Sequence, residues 1–310
     1  MSTYRNILMP RALDYYGEDQ QKPVDAVPTP LEAWNSHCRD AGGGVGLAHG
    51  WHVIIAGATG HGKTLMALNL AATALKNGHS VCYVSLEMSQ EQLQTRVYSI
   101  ISGVPVSSLE RGAFDPLQWQ KAKGKLVGFQ NNGLPVLLTN TGPVRNINDI
   151  TEQMYGLLHD DLAPVRLFII DYLQLANTGT DDEIYRTVSL ISGQVMTFAH
   201  EHKVLTVGLS QLNRSVSANR HESPIAQGLI GSSSLENDAD QVLILDHTRY
   251  QRDALNKNIA RTWLILAKNR HGSSGSIPIE WDYSTLRCRE GMQDEEIHWP
   301  GHKGDKHQAA

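Results

Sequence analysis

Residues 57–64 read Gly-Ala-Thr-Gly-His-Gly-Lys-Thr, which places glycine, lysine and a hydroxyl at the spacing G-x-x-x-x-G-K-[ST]. That spacing builds a phosphate cradle. Glycines let backbone N–H groups turn inward around a triphosphate, and a following helix adds the positive end of its dipole. The nucleotide-contacting set is then Gly57, Thr59, Gly60, His61, Gly62, Lys63, Thr64 and Leu65. Within it Lys63 reaches the β- and γ-phosphates and Thr64 ligates Mg²⁺. The flanks agree: the apolar run Val53-Ile54-Ile55-Ala56 precedes the loop, and a helical pattern over 65–72 follows it.

Hydrolysis needs more than a cradle. A second ligand must hold the metal, and a base must orient water. Leu167-Phe168-Ile169-Ile170-Asp171 is an apolar strand ending in an acid, which assigns Asp171 to Mg²⁺. Glu87 follows the strand candidate 81–86, at the edge where open α/β sheets hold ligands, and is the candidate base. Its competing role is helix capping beside Ser89. Gln211 ends the run 204–210, where a neutral amide can sense a γ-phosphate or simply make a structural hydrogen bond. Lys268-Asn269-Arg270-His271-Gly272 follows the apolar run 263–267, and cations at a strand end are ordinarily solvated surface.

These groups need a scaffold. Strand candidates fall at 52–57, 81–86, 134–139, 165–171, 204–210, 241–246 and 262–267. Helical patterns lie near 64–77, 89–102, 115–127, 147–159 and 184–202. The alternation predicts a mostly parallel α/β sheet flanked by helices. After residue 240 no long helix intervenes, so antiparallel strands are expected at the C-terminal edge. Residues 1–28, with Pro10, Pro23 and Pro28, form an N-terminal appendage or linker, with a short helix expected over 4–16. Residues 29–290 form the folded unit, and 291–310 a polar tail expected to be disordered.

The 310 residues are 41% apolar, enough for a substantial core. No window approaches the ~20 apolar residues of a membrane span. Cys38, Cys82 and Cys288 are too widely spaced for a metal pattern and read as reduced thiols of a cytoplasmic protein. A net charge of −5 argues against coating duplex DNA, while leaving room for a local basic groove.

Taken in order, these segments resemble the RecA-like motor domain of DnaB-type replicative helicases. The resemblance rests on Ser85-Leu86-Glu87-Met88-Ser89, Ile170-Asp171-Tyr172-Leu173-Gln174-Leu175 and Ser210-Gln211-Leu212-Asn213-Arg214. It continues in Ser234-Leu235-Glu236-Asn237-Asp238-Ala239-Asp240 and in Ala267-Lys268-Asn269-Arg270-His271-Gly272. It implies a RecA-like P-loop ATPase using ATP and Mg²⁺, in which Glu87 is the catalytic glutamate and Gln211 the nucleotide sensor. It also implies that Lys268 and Arg270 act in trans on the nucleotide of the neighbouring subunit. Residues 213–240 would be the DNA loop and its return, meeting single-stranded DNA through Arg214, Arg220, Gly231, Ser232 and Ser233. The implied assembly is a homo-oligomeric, hexameric ring with a helicase loader or primase as partner and no membrane association.

The chain departs from the family pattern in two places. Ile230 stands where the family has an Arg, and Gly228 where it has an acid. Nothing in the sequence resembles the family's N-terminal collar domain, with only 1–28 to stand in for it. Two other readings remain open here: a RecA-like single-strand DNA-binding protein without processive unwinding, and a nucleotide-gated assembly module.

Overall fold

Strands that are apolar at nearly every position must bury both faces. In the computed structural model of the chain they do so within one ten-stranded sheet covered on both sides. The structure describes residues 5–6, 26–39, 46–113, 115–117, 120, 137–140, 145–158, 164–179, 184–212, 232–253 and 256–291. Its strands are β1 (Arg5–Asn6), β2 (Ala26–Val27), β3 (Leu47–Ala48), β4 (His52–Gly57), β5 (Ser80–Ser85), β6 (Leu137–Asn140), β7 (Val165–Asp171) and β8 (Leu205–Gln211). They continue with β9 (Gln241–Arg252), β10 (Ile259–Asn269), β11 (Gly275–Asp282) and β12 (Arg287–Glu290). The helices are α1 (Glu32–Arg39), α2 (Lys63–Lys76), α3 (Gln90–Ser102), α4 (Val106–Arg111), α5 (Ile147–Leu158), α6 (Ile184–His202) and α7 (Ser232–Asp238).

Sheet order is β1-β6-β5-β7-β8-β4-β9-β10-β11-β12. From β6 to β9 every neighbouring pair is parallel. β10, β11 and β12 then continue antiparallel. This is the sheet expected from the sequence, extended by β11 and β12. Arg5 and Asn6 pair antiparallel with β6, in place of the helix expected over 4–16. The rest of that stretch, most of 115–127, residues 134–136 and the tail beyond 291 lie outside the described residues.

Side-chain alternation assigns each strand to two cores. Val53 and Ile55 of β4, with Leu167 and Ile169 of β7, enter the core under α1, α2 and α3. Their neighbours Ile54, Ala56, Phe168 and Ile170 enter the core under α5 and α6. α2 is buried nearly all round, from Leu65 to Leu75, because it lies between the sheet and the β12 end of the chain. Asn69, the buried polar residue on that helix, bridges to the same region: its amide donates to the Leu286 carbonyl and its oxygen accepts from the Cys288 N–H. Ala26 and Val27 are buried against the same core through their pairing with Leu47 and Ala48.

The parallel register sets the function-bearing edge. Gly57 pairs with Gln211, and Ser85 pairs with Asp171. The C-terminal ends of β4, β5, β7 and β8 therefore stand side by side, where a doubly wound sheet leaves its crevice.

Candidate nucleotide site

The loop after β4 needs glycine at two places. Gly60 and Gly62 have φ of 81° and 90°, left-handed values that a side chain disfavours. Gly62 caps α2, so the loop passes directly into the helix N-terminus. Lys63 Nζ donates to the carbonyls of Gly57 (2.8 Å) and Ala58 (3.1 Å), which aims the ammonium into the loop. Burial lowers its pKa, while the charges of Asp171 and Glu87 act the other way. His61 Nδ1 lies 3.2 Å from the Leu245 carbonyl and ties the loop to β9. Burial is the largest influence lowering that imidazole's pKa.

Asp171 is 1% exposed and ends β7 beside the loop. Its Oδ2 accepts from the Tyr83 hydroxyl at 2.8 Å, and Thr64 also donates to it. Burial raises the Asp171 pKa, with the two hydroxyl donors opposing it. A carboxylate and a hydroxyl meeting under a phosphate loop are hard oxygen donors. They fit Mg²⁺, which takes one or two protein oxygens and completes its shell with phosphate and water.

Glu87 is exposed at the same edge. A tight turn presents it: the Ser85 hydroxyl accepts from the Met88 N–H (2.9 Å) and donates to the Met88 carbonyl (3.1 Å). Leu86 N–H donates to the Asp171 carbonyl at 2.8 Å, extending the β5–β7 ladder to the turn. The capping role belongs to other residues. Ser89 and Gln92 form a reciprocal capping box for α3, which leaves the Glu87 carboxylate to the crevice.

Gln211 touches the loop: its Nε2 donates to Thr59 Oγ1 at 2.9 Å. Gln174 stands behind it, donating to Ser210 Oγ (2.8 Å) and accepting from the Gln211 N–H (3.3 Å).

Lys268 and Arg270 are elsewhere. β9 aligns Gln241 with Val53 and Leu245 with Gly57, while β10 aligns Asn269 with Gln241 and Leu264 with Leu245. The two cations thus lie toward the start of β4, displaced from Gly57 by roughly 10–16 Å along the strand direction at ~3.3 Å per residue and set two strands to the side. Both bind the C-terminal turn of α7: Lys268 Nζ donates to the Glu236 carbonyl, and Arg270 Nη2 donates to the Asn237 carbonyl. Burial and the Arg270 charge lower the Lys268 pKa.

Of the residues singled out from sequence, the structure gathers Thr59, Lys63, Thr64, Glu87, Asp171 and Gln211 at one edge. Ser232 and Ser233 open α7, their side chains outside the described set, and Arg214, Arg220, Gly231, Gly228 and Ile230 also lie outside the described residues. Sequence reasoning assigned no role to Tyr83, Gln174 or Asp240. A tyrosine inside a fully buried strand was the available signal, since its hydroxyl demands a partner. The three thiols are buried or half-buried, and burial is the main cause raising the pKa of each.

A glycine-rich loop running into a helix, a buried carboxylate with two hydroxyl donors, an exposed carboxylate and a side-chain amide stand together on the edge of a parallel sheet, the arrangement of a P-loop α/β protein. The family model "DnaB-like helicase C terminal domain" matches residues 44–290, and the chain belongs to that family. It is 32% identical over 255 residues to a replicative DNA helicase of Geobacillus stearothermophilus, covering 80% of this chain and 55% of that protein. The chain spans about half the length of the curated relatives it matches. Two solved structures share the fold, each with a TM-score of 0.72 and 23% identity. One is an ATPase domain, covering 86% of this chain and 93% of that one. The other is a DnaB-like replicative helicase described with its primase interactions, covering 87% of this chain and 62% of that one. The fold is RecA-like. Among the described residues no helix is long and apolar enough to cross a membrane.

Proposed function

We propose that this chain is the ATP-driven motor of a cytoplasmic, ring-shaped DNA helicase that moves on single-stranded DNA and separates duplex during replication. One observation carries the reading. Thr59, Lys63, Thr64, Glu87, Asp171 and Gln211 stand at one end of β4 and Lys268 and Arg270 at the other, so in this reading the latter two serve the nucleotide of a neighbouring subunit. A closed homo-hexamer meets that need at every site.

In this reading Lys63 and the loop N–H groups hold the triphosphate, and Thr64 and Asp171 hold Mg²⁺. Mg²⁺ held there would offset negative charge on the phosphates. Glu87 orients water and takes its proton. Gln211 registers the γ-phosphate through the loop residue Thr59, and Gln174 passes that contact toward the end of β8. Arg214, Arg220, Gly231, Ser232 and Ser233 meet the DNA backbone, and a loader or primase is the expected protein partner.

Strand displacement on a forked substrate tests the activity, and subunit mixing tests the geometry. Arg270→Ala is expected to lose about 10³-fold or more in turnover and to poison wild-type protein disproportionately. Activity falling only in proportion to the wild-type fraction would mean Arg270 does not act across an interface.

A further inference from the structure

Behind the two cations lies a buried group that the hydrolysis scheme leaves unused. Asp240, 4% exposed, joins α7 to β9. It is bound to the start of β4 twice: the His52 N–H donates to its Oδ2 at 2.8 Å, and its own N–H donates to the His52 carbonyl at 2.7 Å. Its Oδ1 faces outward to Arg270 Nη1 (3.6 Å) and His271 Nε2 (3.3 Å). His200 Nε2 lies 3.6 Å from Oδ2.

The arrangement fixes more than a charge. The Arg270 N–H donates to the Asp240 carbonyl at 2.9 Å, so the backbone of one residue holds the backbone of the other. The His271 ring lies flat on Trp51, with centroids 4.5 Å apart and planes 6° apart. Trp51 directly precedes β4. Arg270 is 40% exposed, and a free arginine there would sample many rotamers. An anionic oxygen on one side and the α7 carbonyls on the other restrict it to one region.

We propose that Asp240, supported by His271 on Trp51, is a positioning residue for ATP hydrolysis that sets where Arg270 stands. It rests on the reading that Arg270 serves a neighbouring subunit's nucleotide. Its consequence is mechanical. β4 carries the phosphate loop at Gly57 and the seat of Arg270 at His52, so one strand of about 16 Å spans the two nucleotide interfaces of a subunit. A shift of the loop at one interface then moves the cation at the other, because the strand between them is hydrogen-bonded on both sides.

The test compares Arg270→Ala, Asp240→Asn and the double variant in the full chain. Steady-state ATP turnover is measured with oligo-dT, and affinity for a fluorescent ATP analogue is measured alongside. Arg270→Ala comes first: turnover within about threefold of wild type would sink the trans-cation reading itself. If Arg270→Ala is crippled, Asp240→Asn is expected to lower kcat about tenfold with analogue affinity changed less than about twofold. The double variant should then be no slower than Arg270→Ala within about twofold, since the seat has no purpose without its occupant. Losses that multiply in the double variant, or unaltered kcat in Asp240→Asn, overturn the proposal. Should thermal melting show that Asp240→Asn does not fold, His271→Ala takes its place under the same criteria, with about a threefold loss of kcat expected.

Discussion

Tyr83 and Asp171 sit on adjacent parallel strands, and the phenol donates to the carboxylate at 2.8 Å inside the buried core. The bond keeps a buried acid ready to lose its proton. Burial pushes the Asp171 pKa upward, and the hydroxyls of Tyr83 and Thr64 pull it down. Removing Tyr83's contribution should make protons compete better with Mg²⁺. Tyr83→Phe is therefore expected to raise the Mg²⁺ concentration for half-maximal turnover, by a larger factor at pH 6.5 than at pH 8, because losing the phenol donor shifts the carboxyl further toward its protonated form. A Mg²⁺ titration at both pH values checks this. Identical midpoints for variant and wild type would show that the phenol has no influence on the metal.

Binding and turnover should separate at Lys63 and Glu87. Lys63→Ala removes the cation that the loop carbonyls aim inward, and both nucleotide affinity and hydrolysis should collapse. Glu87→Gln keeps the cradle and is expected to bind ATP with Mg²⁺ normally while turning over ~10²-fold slower. If Glu87→Gln loses less than fivefold, the water is oriented by another group.

Much of this site was legible in the sequence because its signals are local. A glycine spacing, an acid ending an apolar run and an amide ending another are each fixed within a few residues, and parallel pairing then forces their C-terminal ends together. The sheet was legible for the same reason: β4, β5, β7 and β8 are runs of apolar residues with helical patterns between them. β11 and β12 were not, because Gly275–Asp282 alternates weakly around Pro278 and Arg287–Glu290 is polar. Tyr83, Gln174 and Asp240 act through partners 88, 36 and 188 residues away, at Asp171, Ser210 and His52. No spacing rule within one sequence reveals such pairs.

The contact between Gln211 and Thr59 predicts a shared role. Thr59→Val removes the oxygen that accepts from the Gln211 amide, and Gln211→Ala removes the donor. Each is expected to lower DNA-stimulated turnover about tenfold with little change in ATP affinity, and the double variant should add almost nothing. Gln211→Glu should be worse than Gln211→Ala, since it brings a negative charge toward the phosphates. Strict additivity of Thr59→Val and Gln211→Ala would show that the two residues work separately.

Stability should depend on pH through His52. Burial, offset by the Asp240 charge and reinforced by His200, lowers its pKa to about 4. In the unfolded chain the ring titrates near 6.5, so between these values only the unfolded state takes up the proton. Stability is therefore full above about pH 6.5 and declines as pH falls toward 4. The melting temperature is expected to drop roughly 3 °C between pH 7 and pH 5 from this residue. His52→Gln, which can keep the bond to Thr206 Oγ1, should flatten part of that slope. Parallel slopes for the two proteins would place the pH dependence elsewhere.

Gly60 and Gly62 separate backbone strain from side-chain crowding in the phosphate loop. A methyl group on Gly60 meets nothing within 4 Å, whereas on Gly62 it comes 3.4 Å from the Trp281 ring, an ordinary contact distance. Both glycines sit at φ of 81° or more, where an alanine is disfavoured by about 1–2 kcal/mol. Strain, common to both, should thus outweigh contact, present at one. Gly60→Ala and Gly62→Ala are each expected to weaken ATP binding about tenfold, within about threefold of one another. Trp281→Phe introduced beside Gly62→Ala gives more room but leaves φ unchanged, so affinity should not return. Recovery in that double variant, with Gly60→Ala binding normally, would mean that Trp281, rather than the backbone, dictates glycine at position 62.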